Sequence, residues 1–171
     1  MPDGALMCLM VWIGTARPLP TGTSPEPSEK ADLYCVEAVP ADAAIRSRFS
    51  SPQVTYVGSH QGCGCGFNSG ELAWQGFERV ADAMTLLDAM TDDEREELLA
   101  AQRSRVRLRD LVSSALTDGP VELYACWAGD EEAPATREET IDPTWLTELT
   151  SPLEEGVRYA VLAEIAELRG S

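Results

Sequence analysis

Positive charge is scarce in this chain: 13 lysines and arginines stand against 29 aspartates and glutamates, a formal net charge of -16. Nucleic acid and anionic membrane both need a positive field, to release counterions or to reach headgroups, so the balance argues against nonspecific affinity for either. It suits solubility, or a basic protein partner. From Asp118 onward only Arg137, Arg158 and Arg169 oppose the carboxylates, which places any acidic recognition surface in the last third of the chain.

Long apolar runs are missing too. The segment "LMCLMVWI", Leu6 to Ile13, falls well short of the roughly 20 residues that span a bilayer. No basic residue precedes it, and the following "TARPLP" offers no small-x-small cleavage pattern, so it is a poor secretory signal. A cytoplasmic protein without membrane attachment is expected. In that compartment the five cysteines act as thiols or ligands instead of a disulfide framework. There is no P-loop, no dinucleotide fingerprint and no serine-hydrolase elbow, and His60 is the only histidine.

What is present suits one globular domain over residues 1–171. With 171 residues, 44% of them hydrophobic and 25% charged, the chain can bury a core without a metal or disulfides to help it fold. Leu6 to Ile13, short and continuously apolar, predicts a strand buried on both faces in mid-sheet. Leu33 to Val39, Gln53 to Ser59, Val121 to Trp127 and Gly156 to Ile165 predict four more, by their β-branched and aromatic content. In the fourth, Val121, Leu123, Ala125 and Trp127 share one side, while Glu122, Tyr124 and Cys126 share the other.

Helices are expected after Pro40, as a short turn, and after Asn68, where "NSGE" resembles a capping box and Phe77, Val80, Ala81, Met84 and Leu87 fall at helical spacing. Thr91 with Glu94 caps a long helix to about Leu116, acidic at its start and carrying arginines later, as the helix dipole favours. Asp142 and Pro143 open a last short one. The segment from Trp127 to Thr140 reads as a loop. The expected architecture is α/β or α+β, a mixed sheet of about five strands packed against three to four helices.

The chemistry concentrates in "HQGCGCGF", His60 to Phe67. Glycines on either side of Cys63 and Cys65 free the backbone for positive φ or close approach and leave both thiols uncrowded. Two such thiols can share a thiophilic ion, zinc or copper(I), although the commonest zinc knuckles space their cysteines by two to four residues. A four-ligand set of Cys63, Cys65 and Cys126 with His60 or Cys8 closes if the strands bearing Cys8 and Cys126 flank Gln53 to Ser59. Otherwise Cys8, Cys35 and Cys126 are small buried hydrophobes.

An alternative makes Cys63 or Cys65 a nucleophile or redox centre with His60 as base, helped by a helix starting just beyond the loop. A third reading turns on Met7: translation from there and removal of the methionine would expose Cys8 as an amino-terminal nucleophile. Arg103, Arg105, Arg107 and Arg109 are expected to spread around their helix as a solvated surface. Asp130, Glu131 and Glu132 read as a solvated loop.

Overall fold

The computed structural model describes residues 8–22, 31–68, 80–148 and 150–163. Six strands form one mixed sheet: β1 (Leu9–Thr15), β2 (Leu33–Glu37), β3 (Gln53–Ser59), β4 (Val121–Trp127), β5 (Arg137–Ile141) and β6 (Val157–Val161), in the order β2-β3-β1-β4-β6-β5. All pairs are antiparallel except β5 with β6. Three helices accompany them among the described residues: α1 (Ala43–Arg46), α2 (Val80–Ala89) and α3 (Asp92–Ala115). The arrangement is an α+β fold.

The continuous apolar run of β1 lies deep in the sheet, between β3 and β4. Its alternate side chains feed two cores. Leu9, Val11 and Ile13 join Val57, Leu123, Ala125, Val157 and Tyr159 on the face covered by Leu108, Val112 and Ala115 of α3. Trp12 faces the other way with Val54, Tyr124 and Cys126, under Ala38 and the fully buried Ile45 of α1. The division of β4 into two faces matches the alternation of its sequence.

Helix α3 starts as its capping box predicts: Thr91 Oγ1 accepts from the Glu94 backbone N–H while the Glu94 carboxylate accepts from the Thr91 N–H. Asp142 caps a 3-10 turn over Pro143–Thr147, its carboxylate accepting from the N–H groups of Thr144 and Trp145. Residues 69–71 of the expected capping box, with Phe77 and the side chains of Val80 and Ala81, lie outside the described residues. Met84, assigned to a core face, is instead 54% exposed.

Two further expectations are corrected. The segment 137–141, "REETI", is an edge strand and not a loop; its charged residues carry no apolar alternation to announce it, and such charges are how edges avoid unwanted pairing. Arg105 is 1% exposed because it falls on the same helical stripe as Ala101, Leu108 and Val112. Its Nε donates to the Leu146 carbonyl and its guanidinium lies over the Trp145 ring, 5.8 Å from the centroid. Burial lowers its pKa to about 10. The solvated-surface expectation holds for Arg103 and Arg107, which are exposed.

Asn68 is 1% exposed and spends both ends of its amide on one residue. Its Nδ2 donates to the Leu153 carbonyl at 2.7 Å, and its Oδ1 accepts from the Leu153 N–H at 2.8 Å. Two buried backbone groups would lose their partners in Asn68→Ala, which is therefore expected to cost about 2 kcal/mol of stability. Urea denaturation should show it as a lowered midpoint, against an Arg107→Ala control that changes stability by less than about 0.5 kcal/mol.

Candidate metal centre

The loop after β3 begins with a turn at whose end Gly62, at φ 79°, takes a conformation that disfavours any side chain. Its N–H donates to the Ser59 carbonyl, and Ser59 closes the turn by donating from both its N–H and its Oγ to the Cys63 carbonyl, at 2.9 and 2.6 Å. Tyr34 on β2 pins the same turn by donating from its hydroxyl to the Gly62 carbonyl. Residues Gly64–Phe67 then form a 3-10 turn with Phe67 fully buried.

Gly64 is the point of close approach. A Cβ there would lie 2.6 Å from Val11 Cγ2 and 2.7 Å from the Leu9 carbonyl oxygen, so only glycine lets the loop rest on the start of β1. From that contact the Leu9 N–H donates to Cys65 Sγ at 3.1 Å. Residue 8, one step earlier, is thereby held beside the loop. The Sγ atoms of Cys8, Cys63 and Cys65 all lie within 4.8 Å of one another, each residue half-buried.

Strand order decides which expected ligands arrive. Strand β3 is flanked by β2 and β1, while β4 lies on the far side of β1. Cys8 therefore reaches the loop and Cys126 does not: it is buried with Trp12 and Tyr124. Burial, then the charges of Glu131 and Asp130, pushes its thiol up to about 12. Cys35 is likewise raised, to about 11, by burial. The five cysteines are free thiols.

His60 also stands outside the thiol cluster. Its Nε2 is 2.8 Å from Glu97 Oε1 and its Nδ1 is 3.0 Å from Ser104 Oγ, both on α3. The chain of Ser104, His60 and Glu97 has the connectivity of a nucleophilic triad with the burial reversed. Ser104 is fully buried and the Glu97 side chain is 43% exposed, so no substrate carbonyl can reach the hydroxyl. The three residues tie the loop to α3. Beside them lies an acidic groove of about 410 Å³ lined by Asp32, Asp93, Glu96 and Glu97, with Arg103 at its wall.

Burial raises the Cys63 thiol to about 12, with the Cys65 and Cys8 thiols adding to the rise and the Cys65 backbone N–H only partly offsetting it. Tyr56 is raised as well, by burial first and then by Tyr34, Cys63 and Cys8. Its hydroxyl environment therefore borders the cluster. Neither Tyr34 nor Tyr56 was singled out in the sequence, although Tyr56 lies on the strand that leads into the loop of the two cysteines. Tyr34 and Tyr56 meet edge to face at 6.0 Å, and Tyr56 meets Trp12 at 5.3 Å, an aromatic wall beside the thiols.

Comparison of the chain with protein-family models, with curated proteins and with solved structures gives no match. Among the described residues no helix is long and apolar enough to cross a membrane. What the site can do is therefore read from its donors: three soft sulfurs, preassembled, of the type that zinc and copper(I) take.

Two outcomes follow from this geometry. In the metal-free protein Cys63 should alkylate slowly at pH 7, its rate climbing about tenfold per pH unit up to pH 10 as the thiolate fraction grows, which residue-resolved mass spectrometry of iodoacetamide adducts measures. Gly64→Ala should push the loop off β1 and raise the alkylation of Cys63 and Cys65 at fixed pH.

Proposed function

We propose that this protein binds a thiophilic metal ion through Cys8, Cys63 and Cys65. The convergence of three thiols from two segments 55 residues apart, Cys8 and Cys63, carries this reading, since side chains gathered only for packing have no reason to bring their sulfurs to one point. Zinc would take the three thiolates and fill its fourth position with water or with a ligand from outside. A cytoplasmic location, where such thiols stay reduced, goes with this reading.

Thiolate nucleophilic or redox catalysis by Cys63 or Cys65 with His60 has less support. A nucleophilic cysteine needs a lowered pKa, whereas Cys63 is raised, and both ring nitrogens of His60 are engaged by α3. A basic protein partner is a separate reading, supported by the net charge and by the groove of Asp32, Asp93, Glu96 and Glu97, which lies before the last third of the chain where the sequence placed such a surface.

Metal capture displaces thiol protons, so affinity should fall as pH drops and binding should release protons. Protein purified without a metal-binding tag or added metal is expected to carry up to one equivalent of metal by elemental analysis. Zinc titration of the stripped protein in two buffers of different ionisation enthalpy should show the proton release. Cys8→Ser, Cys63→Ser and Cys65→Ser should each weaken zinc by about 100-fold, with Cys35→Ser unchanged. Stripped, folded protein that binds no thiophilic ion would end this reading.

A further inference from the structure

The same three thiols narrow the class of ion, an inference that rests on the metal-binding reading above. Cys8, Cys63 and Cys65 form the group of close donors, and no histidine, aspartate or glutamate joins it among the described residues. Three sulfurs gathered at one point match an ion that completes its shell with three bonds. Zinc in a structural protein site takes four ligands.

Charge points the same way. Three thiolates around a monovalent ion carry a net charge of -2, around a divalent ion -1, and around a trivalent ion none. Among the described residues no basic side chain is hydrogen-bonded to these sulfurs, where the Leu9 N–H reaches Cys65 Sγ. The wall of the site is aromatic, Tyr56 packed between Trp12 and Tyr34. A residual negative charge in a half-buried position without a cation to balance it costs desolvation energy that a neutral complex avoids. Among the described residues the Leu9 N–H at Cys65 Sγ and the Cys65 N–H beside Cys63 are backbone donors that offset charge there.

We propose that the site takes trivalent arsenic or its heavier congener antimony, presented as the neutral trihydroxide. Trivalent arsenic is soft, forms three bonds and keeps a lone pair in the fourth direction, so it asks nothing of the protein beyond these sulfurs. Capture is a condensation, As(OH)3 + 3 R–SH → As(SR)3 + 3 H2O. Three As–O and three S–H bonds break, three As–S bonds form, each hydroxyl leaves as water with a thiol proton, and no oxidant or reductant takes part. A neutral acid also approaches a chain of net charge -16 without the repulsion an anion would meet.

The test uses the full-length reduced protein with sodium arsenite as probe and zinc chloride in parallel. Native mass spectrometry is expected to show one arsenic per chain with the loss of three hydrogens. Alkylation after unfolding in the presence of arsenite should spare Cys8, Cys63 and Cys65 and label Cys35 and Cys126. Cys8→Ser should weaken arsenite about 100-fold, the step from three linked bonds to two, and arsenite should displace zinc at equal concentration.

An arsenite affinity unchanged by Cys8→Ser, or no arsenic adduct while zinc binds with dependence on all three cysteines, would overturn this inference and leave the metal reading standing. Absence of both zinc and arsenic binding in folded wild-type protein would overturn both. The alkylation pattern is read on the wild type, so the outcome does not depend on any variant folding.

Discussion

Antiparallel pairing of β1 with β3, Val11 opposite Val57 through to Thr15 opposite Gln53, carries Cys8 just past the end of β3 and beside the loop that leaves Ser59. Everything in the candidate site depends on that register. A slip by one residue would turn Leu9, Val11 and Ile13 out of the face packed by α3 and expose Trp12 to it, so burial on both faces holds the pairing in place. Gly64 then lets the loop close on Leu9, and the Leu9 N–H meets Cys65. Strand pairing brings Cys8 to the loop, and the Gly64 contact with the Leu9 bond to Cys65 completes the thiol cluster.

The same face of the sheet carries the polar groups that fix the chain around the site. Asn68, just after the 3-10 turn that carries Cys65, holds Leu153 by two hydrogen bonds, and His60, just before it, reaches α3 at Glu97 and Ser104. The loop is thus fastened at both ends to elements distant in sequence. Arg105, buried against Trp145 and Leu146, belongs to the same class: a polar group whose burial costs more the less it is paired.

Charge is distributed with a consistent logic. Carboxylates occupy exposed positions at the start of α3 and on the edge strand β5, where they serve solubility and guard the edge, while the cluster of thiols lies near the aromatic side chain of Tyr56. Burial raises the thiols whose shift is resolved, Cys35, Cys63 and Cys126. Thiols held in the neutral form at neutral pH suit capture of an ion that displaces their protons more than they suit nucleophilic attack.

Periodicity, caps and turn chemistry were enough to find five of the six strands, the long helix from Thr91, the Asp142 turn and the CGCG loop that supplies two of the clustered thiols. These features are local, since alternation and capping act over two to four residues. Strand β5 escaped because an edge strand of charged residues has no apolar period to read, and Arg105 because one position in a helical stripe decides between solvent and core. The ligand set was open for a different reason. Whether Cys8, Cys126 or His60 meets Cys63 and Cys65 depends on which strand lies beside β3, and strand order is a property of long-range pairing that no short stretch encodes by itself. The sequence alone determined that the site would be a thiol loop at a strand's end; only the placement of β1 between β3 and β4 made Cys8 its third sulfur and kept Cys126 away.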